Sequence, residues 1–325
     1  MGERAVTLRR NWQVLLGYVL SALALLWVFH DVDLRSIIGQ IRSIKAWWLI
    51  PAVVCHILSY VCEATRWRLL LPPGQLSFWR AIRATYAGLF TNELMPLRAG
   101  ELVRAYLASR WMGRPITTLI PSLAIGRLID GAWLTTGIAF LLVYVPMPPV
   151  VAEAARLFSA AVVVLLTTFI LLTRRPALWV QRWSEQSGSH LGQVCSRLLL
   201  DVASMKLDWR FAAAALFSLA LLLFQAASFW FVMAACSLPL GYFAAIGVLV
   251  IVNVGTMIPN APGNVGSFQF FTVLGLQLLG TEKNTAAAFS VILFAVLTLP
   301  LWLLGLAAVW RSGQTFAQLT RISHT

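Results

Sequence analysis

Two stretches of this 325-residue chain bring ionisable or amide side chains together with helix breakers in otherwise apolar surroundings. The first holds Asn92, Glu93, Pro96, Arg98, Gly100, Glu101 and Arg104, and the second holds Asn253, Pro259, Asn260, Pro262, Gly263, Asn264, Gly266, Ser267 and Gln269. Pro96 and Gly100 recur at one common offset as Pro259 and Gly263, so the stretches read as faint copies of one another. A further pair, Arg127 and Asp130, interrupts a long apolar run. Arg98, Glu101 and Arg104 stand at i, i+3 and i+6, where neighbours touch along one short helix, and Arg127 and Asp130 form another i, i+3 pair. Two chemistries fit these five residues. The acids can neutralise the arginines in a salt-bridge network that holds the segment in place. Alternatively, guanidinium forks can grip a phosphate or another anion, which the excess of one positive charge among the five favours. Both uses can hold together.

The second stretch carries no charge. Gly263 and Gly266 let backbone amides approach an anion closely, as at other helix N-termini. Asn260, Asn264, Ser267 and Gln269 add neutral hydrogen-bonding groups. The plainer reading is a Gly/Pro kink that eases packing. Glu93 is a cavity acid or a partner for an arginine. Glu63, one turn from Arg66, reads as half of a pair at the end of a span.

Composition sets the elements that must position these residues. Hydrophobic residues make up 59% of the chain and charged residues 11%, with a mean hydropathy of +0.79. A soluble domain carries about 25% charged residues, so the class is an all-α polytopic membrane protein, with a single transmembrane domain over residues 1–325. The net charge of +13 does not point to nucleic acid, because Lys and Arg gather at the ends of apolar runs, where they set topology and meet anionic lipid. The apolar N-terminal run lacks a small-residue cleavage site and reads as an uncleaved first span. The four cysteines and the four histidines show no metal-ligand spacing. Walker, GxGxxG, GxSxG and HExxH motifs are absent from the sequence, so no enzyme, cofactor or metal is expected, and an ATP-driven pump would need a separate ATPase subunit.

Hydropathy predicts about six full spans: 14–30, 47–64, 116–144, one ending at Leu172, 211–236 and 286–310. Four half-helices, 81–95, 100–111, 242–258 and 263–279, form two re-entrant broken hairpins hinged at Pro96 and Gly100, and at Pro259 and Pro262. Residues 31–46 place Leu34, Ile37, Ile38, Ile41 and Ile44 at helical spacing, as in a helix lying on the membrane surface. Arg66, Arg68, Arg80 and Arg83 flank a Pro-Pro-Gly turn, a basic cytoplasmic loop, and 173–210 form a cytoplasmic amphipathic segment. With both termini inside, only Arg35, Arg42, Lys45, Arg156 and Lys283 fall outside. The first hairpin then enters from the cytoplasm and the second from outside, giving an inverted repeat with halves of about 10–145 and 150–311, a plan that recurs in transporters.

In Asn92…Pro96-x-Arg98-x-Gly100-Glu101-x-x-Arg104, Arg127-x-x-Asp130 and Pro262-Gly263-x-x-Gly266, the chain resembles the transmembrane region of lysylphosphatidylglycerol synthases and related stand-alone, flippase-like membrane proteins. The resemblance covers roughly residues 10–310. It implies re-entrant helices that bind a lipid, or a lipid-linked group, and move it between leaflets of a prokaryotic inner membrane. The aminoacyl transfer of the full synthases belongs to a soluble C-terminal domain. The chain ends at Thr325, shortly after its last span, so that activity is not expected. Two positions depart from the family pattern. Gly126 and Gln269 stand where acids are common, which bears on substrate or coupling. The expected function is a lipid transporter for an anionic or zwitterionic lipid, with Arg98, Arg104 and Arg127 holding the head group. Glu101 and Asp130 would orient them, and the second hairpin would gate. The alternative is a membrane-embedded enzyme or accessory subunit acting on a lipid-linked sugar or terpenoid lipid. Expected partners are the lipid itself, a second copy of the chain, or a lipid-biosynthesis enzyme that the chain serves as a scaffold.

Overall fold

The computed structural model describes residues 2–71, 76–95, 99–144, 149–174, 207–257 and 261–313. Among them the fold is entirely helical: α1 (Gly2–Phe29), α2 (Leu34–Ser43), α3 (Leu49–Leu70), α4 (Phe78–Leu94), α5 (Gly100–Met112), α6 (Ile120–Tyr144), α7 (Pro149–Arg174), α8 (Trp209–Ala235), α9 (Tyr242–Gly255), α10 (Ser267–Leu278) and α11 (Lys283–Trp310). Short 3-10 turns precede α3, α6 and α10. Five segments are long and apolar enough to cross a bilayer: Ala46–Leu70, Ile116–Val143, Ala152–Leu171, Trp209–Ala235 and Lys283–Trp310. This is a multi-pass membrane protein.

The sixth span expected at 14–30 is not among these five; in α1 the apolar stretch found among the described residues is Leu15–Phe29. A correction lies at the end of α3. The basic loop expected from Arg66 onward does not start there, because no helix breaker comes before Pro72. The helix therefore continues to Leu70 and carries Glu63 and Arg66 into the bundle, where both are buried. Most of the amphipathic 173–210 segment lies outside the described residues. At its end, Asp208 caps α8 by accepting from the backbone N–H groups of Arg210 and Phe211 at 2.9 and 3.2 Å.

Backbone and side-chain contacts define two ends of the bundle. At one, the Arg210 guanidinium donates to the Leu71 carbonyl at 3.0 Å, joining the start of α8 to the end of α3. At the other, Lys45 N–H donates to the Ala235 carbonyl at 3.0 Å, and Lys283 donates to the His30 carbonyl at 2.9 Å while lying over the Trp27 ring. Helix α2 joins this second end through Gln40, which donates to Thr285 of α11 at 3.3 Å. Ile37 is buried, while Ile38 and Ile41 are exposed on its outer side.

Besides α2, four helices among those described are too short to span: α4, α5, α9 and α10 have 17, 13, 14 and 12 residues. Helices α4 and α5 pack as a tight pair because Gly88 meets Gly100. A Cβ on Gly100 would lie 1.8 Å from the Gly88 carbonyl oxygen, so any side chain there must separate the helices. One apolar cluster packs α8 to α11 against α3 around Phe229, Met233, Leu276, Phe289 and Leu293. A second packs α4 and α5 against the end of α3, around Trp67, Tyr86, Val103 and Leu107.

Candidate functional site

Helix α3 runs His56, Tyr60, Glu63 and Arg66 along one face at helical spacing, and this face organises the interior. Arg104 of α5, 3% exposed, donates from Nη1 to Glu63 Oε1 at 2.8 Å and from Nη2 to the Glu63 carbonyl at 3.4 Å. The Arg104 guanidinium also lies 4.3 Å from the centre of the Trp67 ring, and the Trp67 indole donates to Ser122 Oγ at 3.0 Å. Arg66 pairs with Asp130 of α6 and donates to Ser218 Oγ of α8 at 2.9 Å, while Ser218 donates to Asp130 at 3.1 Å. Arg127 of α6 pairs with Glu101 in the first turn of α5, and its other terminal nitrogen stands 3.8 Å from Asp130.

The network therefore holds three arginines (Arg66, Arg104, Arg127) and three acids (Glu63, Glu101, Asp130). Arg98, which is counted in the excess of positive charge expected from sequence, lies outside the described residues. The expected intrahelical pairing also changes. Arg104 hydrogen-bonds Glu63 on another helix, Glu63 takes Arg104 in place of Arg66, and the Arg127–Asp130 contact is the longest of the set. Two buried charges repay their desolvation only with close geometry and further hydrogen bonds, and partners on facing helices supply both. Arg127 stands apart from the other two arginines. Its side chain is 51% exposed, and Glu101 takes one of its five N–H donors.

Two adjoining cavities lie beside this network. One, of about 200 Å³, is walled by Arg127, Asp130, Glu63, Ser218 and the 253–257 end of the second short pair. The other, of about 180 Å³, is walled by His56, Tyr60, Glu93, Gly263, Asn264 and aromatic rings of α8, α10 and α11. Gln225, Asn253 and Thr256 line both. The two short-helix pairs meet at the second cavity. Gly263 has φ 67°, and a Cβ there would stand 3.0 Å from Glu93 Oε2, so glycine serves both the left-handed turn and the close approach to the carboxyl. Trp302 of α11 hydrogen-bonds the Glu93 side chain.

Other sequence candidates occupy different places. Asn92 Oδ1 accepts from Gly100 N–H at 2.7 Å and so joins the arms of the first pair. Pro262 opens the 3-10 turn Pro262–Asn264. Gly266 lies against α1, where a Cβ would stand 2.3 Å from the Ser21 carbonyl oxygen. Gln269 is buried and accepts from Gly266 N–H at 2.7 Å, which occupies the side chain as a cap on α10. Gly126 faces the Arg66 guanidinium, where a Cβ would stand 3.5 Å from its nearest terminal nitrogen, an ordinary contact distance. Pro96, Arg98, Pro259 and Asn260 lie outside the described residues. Sequence reasoning missed Arg66, Ser218, His56 and Gln225. The signal available for two of them was the helical spacing of His56 and Arg66 with Glu63.

Residues 14–305 match the family model of the lysylphosphatidylglycerol synthase TM region. The chain belongs to this family. No curated protein matches it significantly. Within this synthase-region domain, the Glu101, Arg104, Arg127 and Asp130 motif residues fall into one network and Gly263 into the adjoining cavity.

Proposed function

We propose that this family member is a lipid transporter that moves a phosphate-bearing lipid between leaflets. A carrier role, without covalent chemistry on the lipid, fits the absence of a hydrolase or nucleotide-binding motif in the sequence. The observation that carries the reading is the pair of adjoining polar cavities inside an apolar bundle, one presenting a half-exposed arginine. Polar and ionisable groups inside a membrane domain mark a substrate path unless they are fully self-satisfied. Arg127 retains free donors at the wall of a cavity, and a guanidinium fork matches phosphate oxygens. The alkyl chains would stay in the bilayer while the head group crosses through the cavities.

In this reading α4–α5 and α9–α10 are re-entrant hairpins entering from opposite sides, and the two halves form an inverted repeat. The faint Pro/Gly recurrence and the meeting of the pairs at Glu93 and Gly263 support it. The membrane is a prokaryotic inner membrane with both termini cytoplasmic. Arg68, Arg80, Arg110, Arg114, Arg210 and Arg311 sit at helix ends that this orientation places inside. The lipid is the main partner, with a second copy of the chain or a lipid-biosynthesis enzyme as a further one.

Transport is tested in proteoliposomes with fluorescent phospholipids and quenching of the outer leaflet. Reconstituted protein should move at least one phospholipid class about tenfold faster than empty vesicles, a difference of about 1.4 kcal/mol in barrier. Rates equal to empty vesicles for every class would remove the proposal. Orientation has a separate test. In intact cells, an impermeant maleimide should label Lys283→Cys and leave Arg114→Cys unlabelled until the membrane is opened; the reverse pattern would invert the topology.

A further inference from the structure

The acids of the charge network each face a guanidinium, and one further interior acid does not. Glu63 pairs with Arg104, Glu101 with Arg127 and Asp130 with Arg66. Glu93 lines the 180 Å³ cavity, and among the described residues no lysine or arginine lines it. The Trp302 indole donates to the Glu93 carboxyl, a neutral contact that leaves the charge of an ionised group uncompensated. The surrounding elements bring no fixed positive charge of their own. From α3, His56 and Tyr60 share the cavity wall, with both His56 ring nitrogens enclosed in the packing. Glu63 stands nearby on the same helix and is taken by Arg104 of α5. On α4 itself, the Tyr86 hydroxyl is enclosed. Helices α8 and α9 present the amides of Gln225 and Asn253, and α10 and α11 present apolar side chains and the Thr298 hydroxyl.

The position of this carboxyl links its charge to the shape of the bundle. Glu93 stands where the two short-helix pairs meet, at the end of α4 against the Pro262–Asn264 turn. A Cβ on Gly263 would lie 3.0 Å from Glu93 Oε2 and 3.4 Å from the Glu93 carbonyl oxygen. Parting the pairs lets water reach the carboxyl, and closing them takes water away. Water holds an ionised carboxylate in the first state. In the second, with no cation opposite, only the neutral carboxyl avoids a large desolvation cost. Closing therefore takes up a proton from water to form an Oε–H bond, and opening breaks that bond and returns the proton to water.

We propose that Glu93 is a proton site that couples lipid movement to proton movement. The assignment rests on the lipid-transport reading and adds its driving force. Gln225, Asn253 and Thr256 line both cavities, so one polar passage serves the proton and the head group.

Two measurements on the whole protein test this. In detergent, infrared difference spectra between about pH 8 and about pH 5 should show a protonated-carboxyl band that shrinks in Glu93→Gln and persists in Glu93→Asp. An identical band in Glu93→Gln overturns the site. In vesicles, fluorescent phosphatidylglycerol and phosphatidylethanolamine, each a trace component in phosphatidylcholine, are followed under a proton gradient with the membrane potential clamped. A gradient of about one pH unit is a factor of about ten in proton activity. For at least one of the two lipids, the ratio between leaflets should therefore shift severalfold, up to about tenfold, relative to empty vesicles, and reversing the gradient should reverse it. Glu93→Gln, which keeps the volume of the neutral carboxyl, should abolish the shift. Glu93→Asp should keep most of it, and so should His56→Asn and Tyr60→Phe at the other titratable residues of the cavity. A shift that survives Glu93→Gln overturns the proposal. Lipid that reaches the same ratio with and without the gradient would sink the coupling and leave transport standing. A Glu93-dependent band in a protein that moves no lipid would leave the proton site standing and sink transport.

Discussion

Replacing Glu63 by alanine is expected to destabilise the protein by about 3–5 kcal/mol, the usual cost of removing one partner from a buried ion pair. Both partners of the Glu63–Arg104 pair are almost fully enclosed, with side chains 6% and 4% exposed. Without the carboxylate, the Arg104 guanidinium stays in the bundle with the Trp67 face and one carbonyl contact at 3.4 Å. Neither replaces a charge-assisted bond of 2.8 Å. The measurement is chemical unfolding of the purified protein in detergent. The double replacement Glu63→Leu with Arg104→Met should recover most of the loss, because it removes both desolvation terms while keeping volume. Glu153→Ala supplies the internal contrast. Its partner Arg156 lies 3.4 Å away with both side chains more than 60% exposed, and such pairs contribute about 0–1 kcal/mol. A Glu63→Ala protein no less stable than Glu153→Ala would show that the network does not hold the hairpin.

Arg127→Gln is expected to act on transport rather than on stability. The residue is half-exposed on a cavity wall, and its partner Glu101 is itself 26% exposed rather than enclosed. A charge-assisted hydrogen bond contributes about 1.5–3 kcal/mol, so the initial rate for a phosphate-bearing lipid should fall about 10- to 150-fold. The unfolding midpoint should move little. Arg127→Lys keeps the charge and loses the planar fork, so its rate should lie between the two. An Arg127→Gln rate within twofold of the starting protein would remove Arg127 from the head-group path.

Much of the architecture was legible in the residues. Helices α6, α7, α8, α9, α10 and α11 fall within a few positions of the apolar runs, because lipid demands long apolar stretches and leaves charge and helix breakers to the ends. The two short pairs were legible for the same reason, through breakers and polar groups inside hydrophobic sequence. The end of α3 departs from the sequence expectation, in which Arg66 marks the start of a loop. A charge marks a boundary only when nothing in the interior is shaped to receive it, and Asp130 and Ser218 receive this one.

The sequence by itself determined the class, the family motifs, the near positions of the helices and the two stretches that mix helix breakers with polar groups, all properties of residues close together along the chain. Only the tertiary structure decided who pairs with whom. Glu63 and Arg104 are 41 residues apart, Arg66 and Asp130 are 64 apart, and Glu101 and Arg127 are 26 apart. Local spacing favoured partners one turn away, but buried charge is satisfied by close, convergent geometry, which facing helices provide and a single helix face does not. The same packing joined Glu63, Arg66, Glu101, Arg104, Arg127 and Asp130 in one network with one half-exposed arginine, and brought Glu93 against Gly263.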